Sequence, residues 1–189
     1  LHSDHVGLAA TIMPKDATIY MGRVDYEYLM TSVTGSHWDD TDKVFLSHGF
    51  PEDKIIELHT KNPARAFQVA GPFEAVKLED GDKITVGDYE FKCIYVPGHT
   101  PGNTCLYYEK DALMFLGDHV LFDITPNITS WYGVRDSLSN YIESLKKIRE
   151  YKMVTALPAH RNTKGINVYD RIDQLLEHHK ARLADTEKV

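Results

Sequence analysis

The chain has 189 residues, 42% hydrophobic and 26% charged, with a formal net charge of −7 and a pI near 5.8. That length and balance suit one domain, residues 1–189, with a core of useful size, as in an ordinary soluble globular protein. The acidic surplus disfavours a nucleic-acid surface, which needs a basic patch, and no apolar run approaches the ~20 residues that span a bilayer.

Asp4 to Ala10 reads as the start of a helix, with its acid near the positive end of the dipole and Pro14 as its stop. Ala17 to Met21 is a short strand closed by Gly22. Asp25 to Val33 has helical spacing, Gly35 to Asp42 reads as a polar loop, and Thr41 to His48 as a short helix. Pro51 suits the first turn of a helix reaching about Val69, weakened by Pro63 inside it.

From Gly71 the period falls to two. Strands are expected at Phe73–Leu78, Lys83–Val86, Tyr89–Val96, Asn103–Tyr108 and Leu113–Leu116, most of them joined by short turns such as Asp80-Gly81-Asp82 and Gly87-Asp88. An irregular loop follows Asp118 as far as Gly133. Ser137–Tyr151 and Val168–Leu183 are amphipathic helices, separated by a short buried strand at Val154–Leu157 that Pro158 halts. Helices, then a strand meander, then helix, strand and helix predict sheets covered by helices, an α+β arrangement.

Cys93 and Cys105 lack CxxC spacing and lie in apolar strand-like runs. They read as buried free thiols, which fits a reducing cytoplasm. No signal peptide is visible. The ten histidines are more informative, being about double the usual share for this length.

Four places gather metal-ligating side chains. His2-Ser3-Asp4-His5 puts two imidazoles and a carboxylate within four positions, although a pair at this spacing is more often surface decoration. Pro97-Gly98-His99-Thr100-Pro101-Gly102 follows an apolar strand, so a rigid turn aims His99, unless this is a plain turn with an exposed ring. Gly117-Asp118-His119 ends another strand; its lone carboxylate could cap a helix, lie in solvent, or bridge two cations. Ala156-Leu157-Pro158-Ala159-His160 ends a third. Each has a bland reading, but four together are poorly explained that way.

In this order, the motifs HxDH, GHTPG, GD and a strand-terminal histidine resemble the metallo-β-lactamase-fold superfamily. Gly117-Asp118-His119-Val120, Ile124-Thr125-Pro126-Asn127-Ile128, Arg171-Ile172 and Leu176-Glu177-His178-His179 resemble its glyoxalase-II-like branch. The resemblance implies an αββα sandwich lacking its N-terminal strands here, with two divalent metal ions, zinc first and iron or manganese as alternatives. The family motif opens HxHxDH, so its first histidine would fall just before Leu1. Additional N-terminal strands are accordingly expected in an intact protein. By carry-over, His2 and His99 belong to the first metal, Asp4, His5 and His160 to the second, and Asp118 to both. A metal-bridging hydroxide would attack a small thioester or ester, with Asp4 as the catalytic proton acceptor.

Trp131 and Tyr132 stand where a substrate wall would be, or serve as lid residues of the core. The family's usual Pro-Gly-His-Gly is replaced by Pro158-Ala159-His160-Arg161, and Arg161 is either a solvated charge or a binder of an anionic substrate group. His37, His48 and His59 read as surface residues. His119 is open between a role behind the metal ligands and a purely structural one, and His178 and His179 read as packing or partner-facing. A phosphodiesterase, ribonuclease or lactonase on the same site, or a non-catalytic binding protein that retains the fold, are the alternative functions.

Overall fold

The computed structural model describes residues 1–14, 16–35, 37–61 and 66–188, the side chains of His37, His59 and Thr60 excepted. The expectations for Pro63, and for the rings of His37 and His59, lie outside the described residues. By internal contacts the chain divides into two compact units, Leu1–Lys77 and Leu78–Val189.

The first unit opens with two single-turn helices, α1 (Ser3–Val6) and α2 (Ala9–Ile12), where one helix beginning over Asp4–Ala10 and stopped by Pro14 was expected. Strand β1 (Tyr20–Gly22) leads into α3 (Arg23–Thr34), and α4 (His37–Ser47) and α5 (Glu52–Lys61) follow. The polar stretch around Asp39 and Asp40 is thus helical from His37, with both acids in the first turn where the dipole favours them. Strand β2 (Val76–Leu78) pairs with β1, and only the end of the expected Phe73–Leu78 strand forms. The Tyr26 hydroxyl donates to the Phe73 carbonyl at 2.8 Å, which ties α3 to the segment before β2.

The second unit is a five-stranded sheet in the order β3 (Lys83–Val86), β4 (Tyr89–Tyr95), β5 (Thr104–Tyr108), β6 (Leu113–Gly117), β7 (Thr155–Pro158). Pairing is antiparallel through β6, with Ile84 opposite Phe91, Ile94 opposite Cys105 and Tyr107 opposite Met114. Strand β7 lies parallel to β6, Phe115 opposite Leu157. Parallel neighbours need a crossover, and α6 (Ser137–Arg149) supplies it. The Asp136 carboxylate caps α6 by accepting from the Ser139 N–H at 2.8 Å, and Lys146, Lys147 and Arg149 sit in its last turn. Helix α7 (Val168–Thr186) is capped by the Asn167 side chain.

Alternation along the strands sends Ile94, Cys105, Tyr107, Met114 and Leu116 to one face, where they join Tyr141, Leu145 and Ile148 of α6 and Ile172 and Leu175 of α7 in the main core. Burying each such side chain contributes about 1.5–3 kcal/mol. The other face is also apolar. Phe91 lies 5.7 Å from Tyr108 and 5.9 Å from Phe115 between ring centres, and Phe115 remains 42% exposed. Among the described residues no helix is long and apolar enough to cross a membrane.

Candidate metal centre

Strand ends assemble the site of the second unit. The parallel register sets Gly117 beside Pro158, and the Ala159 N–H donates to the Gly117 carbonyl at 3.0 Å. Residues one and two places further on, Asp118 and His160, therefore emerge side by side. His99 arrives from the turn after β4, two strands away. The Asp118 carboxylate stands between two imidazoles. His99 Nε2 is 3.3 Å from its Oδ2, and His160 Nε2 is 3.3 Å from its Oδ1.

Helix α6 braces both loops. Gly98 has φ +144°, and a Cβ there would lie 2.5 Å from Cα and Cβ of Tyr141, so only glycine permits this approach. The Ser144 hydroxyl donates to the Pro97 carbonyl at 2.8 Å. One turn earlier, the Tyr141 hydroxyl donates to the His119 carbonyl at 2.9 Å. Arg171 of α7 holds the chain beyond, donating from Nε to Leu121 O at 2.7 Å and from Nη2 to Ile124 O at 2.9 Å.

The tautomer of His99 follows from its neighbours. Its Nδ1 lies 2.7 Å from the Asn127 carbonyl. A carbonyl only accepts, so Nδ1 carries a proton and Nε2 of the neutral ring presents its lone pair toward Asp118. A lone pair and a carboxylate oxygen repel at this distance unless positive charge intervenes, either a second ring proton or a metal ion. Asp118 is 7% exposed, and a carboxylate so far from water also needs compensating charge. Imidazole nitrogen and carboxylate oxygen are fitting donors for a divalent cation, so His99, Asp118 and His160 suit a metal on chemistry as well as on placement. Trp131 Nε1 donates to the His99 carbonyl at 3.2 Å, so this loop holds the residue by both ring and backbone.

In the first unit, His2 precedes α1, and the N–H groups of His5 and Val6 donate to its carbonyl at 3.1 Å. Asp4 Oδ2 lies 3.8 Å from His5 Nε2. The six predicted ligands are thus placed as two trios, one in each unit. Of the predicted substrate residues, Trp131 is half-buried, while Tyr132 and Arg161 are exposed.

His119 is fully buried behind Asp118, stacked edge-on against Tyr141 at 5.2 Å. Burial drives its pKa down to about 3, so the ring is neutral. It belongs to the core packing, as does His179, which meets Tyr141 from the other side at 5.4 Å. His48 and His178 are exposed. Burial raises Cys93 to about 11 and Cys105 to about 12, which leaves both as thiols and unsuited as nucleophiles. Of the bracing residues, Gly98 and Asn127 lie in motifs that stood out in the sequence, whereas Tyr141 and Ser144 gave no sign of a bracing role.

A family model described as the metallo-beta-lactamase superfamily matches residues 1–160, a span that holds all four motifs. A hydroxyacylglutathione hydrolase of Maricaulis maris is 28% identical over 67% of the chain and 51% of its own length. An acyl-coenzyme A thioesterase of Homo sapiens is 30% identical over 54% of the chain and 37% of its own. The chain thus spans about half or less of these curated relatives. Among solved structures, a metallo-beta-lactamase family protein of Thermus thermophilus covers 97% of the chain with a TM-score of 0.76 at 23% identity, the chain covering 60% of it. A beta-lactamase domain protein of Burkholderia ambifaria covers 90% with a TM-score of 0.67 at 26% identity, the chain covering 48% of it.

Proposed function

Since the chain belongs to the metallo-β-lactamase superfamily and has its α+β fold, we propose that it is the site-bearing part of a metal-dependent hydrolase acting on a small thioester or ester. The observation that carries this reading is Asp118, a buried carboxylate flanked by His99 and His160 at the ends of neighbouring strands. The hydrolase and thioesterase names of two relatives support the choice of reaction.

By the family's pattern, His2, His99 and Asp118 would hold one divalent ion, and Asp4, His5, His160 and Asp118 a second. Two such ions supply an acidified water and a polarised carbonyl. As a carboxylate shared by both ions, Asp118 would offset their mutual repulsion. The Asn127 carbonyl keeps the His99 proton on Nδ1 and so keeps Nε2 available. Asp4 accepts a proton from the attacking water as its oxygen bonds to the acyl carbon. The carbon–sulfur bond then breaks, and that proton passes to the departing sulfur.

Elemental analysis and turnover test the proposal on the full-length, metal-loaded protein. About two metal ions per chain are expected, with hydrolysis of acyl-glutathione or acyl-coenzyme A thioesters. No turnover of either would sink the thioester reading, and absence of bound metal would sink the hydrolase.

A further inference from the structure

The residue after His160 sits in a conformation that its side chain does not favour. Arg161 has φ +63°, in the left-handed region where glycine costs nothing and a Cβ is crowded by the backbone. Only three non-glycine residues have positive φ among the described residues, and Arg161 and Lys164 are two of them, both in the loop after His160. A strained residue is retained when something repays it. For Lys164 the repayment is visible, since Nζ lies 2.6 Å from Asp123 Oδ1.

Among the described residues Arg161 has no such return. It is exposed, so packing gains little. No ion pair joins it to any of the described residues, whereas Arg171 is committed to the Leu121 and Ile124 carbonyls. Moreover, the chain is acidic overall, at −7, so an anionic substrate meets net repulsion unless a local cation receives it.

We propose that Arg161 is the specificity-determining residue of the site, binding a carboxylate or phosphate on the substrate beside the ester group. This rests on the hydrolase reading above. A guanidinium presents a planar fork that matches either anion through two parallel hydrogen bonds. Placed next to a metal ligand, it also fixes the distance between anion and reacting carbonyl.

The test compares two thioesters on the full-length protein: the S-acetyl derivative of 3-mercaptopropionate, which carries a carboxylate, and that of 2-mercaptoethanol, which is uncharged. In Arg161→Gly the preference for the charged substrate, as a ratio of kcat/KM values, falls about tenfold, mainly through KM. Arg161→Lys recovers part of it. In the same variant the thermal midpoint rises by about 2 °C, because glycine accepts the backbone that arginine strains. An unchanged ratio overturns the inference and leaves the hydrolase reading standing. If the wild type hydrolyses neither thioester, the thioester reading is what fails, and Arg161 is decided by phenylglyoxal labelling read by peptide mass spectrometry. Protection of Arg161 by 3-(methylthio)propionate then supports anion binding, and equal labelling with and without it refutes it. Arg161→Asn, which tolerates the same φ, replaces the glycine variant if that one does not fold.

Discussion

Gly98→Ala is the smallest change that should disable both fold and site. The new methyl would lie 2.5 Å from Cα and Cβ of Tyr141 and 2.8 Å from its N, all held by a helix whose inner face is fully buried. No flexible side-chain end is there to yield. Overpacking of this kind costs about 1–3 kcal/mol. A non-glycine residue at φ +144° adds about 1–3 kcal/mol more. A loss of about 4 kcal/mol, or roughly 8–16 °C in the thermal midpoint, is the expected total. Gly81→Ala isolates the backbone part, since Gly81 has φ +88° and nothing within 4 Å of its missing Cβ. That variant should lose only about 1 kcal/mol. Urea unfolding of both, with metal content measured on the same samples, checks the reasoning. His99 follows Gly98 directly, so the alanine variant should also bind metal more weakly. Equal stabilities of the two variants, or a Gly98→Ala loss under about 1 kcal/mol, would refute the claim that α6 is pressed against this loop.

Asp118→Ala should lose at least one metal by elemental analysis and nearly all hydrolysis, whereas Lys110→Ala, on an exposed turn, should change neither. Tyr141→Phe removes the hydrogen bond to the His119 carbonyl and should cost about 1–2 kcal/mol in urea unfolding. A cost near zero would show that the hydroxyl does not hold the Asp118 loop. His119 and His179 are both buried with lowered pKa values, His119 to about 3, because burial disfavours the charged ring. Folded values below the unfolded ~6.5 mean that their stabilisation is complete above pH 6.5 and lost as pH falls through it, by up to about 1.4 kcal/mol per pH unit and ring. Unfolding midpoints at pH 7.5 and 5.5 should therefore differ, and His119→Phe should shrink the difference; an unchanged slope would exclude His119 as its source.

What could be read from the sequence divides by the range of the interaction. The pairs β3–β4 and β5–β6 were legible because short turns, Gly87-Asp88 and Glu109 to Ala112, impose their own register. Helices α6 and α7 were legible because their apolar residues repeat at three and four. Helix α4 was misread as a loop over its first residues, since His37-Trp38-Asp39-Asp40 carries too few apolar side chains to show a stripe. The proposed ligands could be picked out because a histidine or aspartate at a strand end leaves a local trace. Their bracing leaves none: Ser144 reaches Pro97 across 47 residues, Tyr141 reaches His119 across 22, and the Asn127 group that orients His99 is a backbone carbonyl. The register of β6 against β7 is equally silent, yet it sets Asp118 beside His160. Helix α6 joins these facts. As the crossover between those two parallel strands it must lie across the sheet, and from there it meets the His99 turn and the Asp118 loop on successive turns. The same element that closes the sheet therefore fixes two of the proposed ligands, and damage to the sheet's core on that side should weaken metal binding before it unfolds the rest.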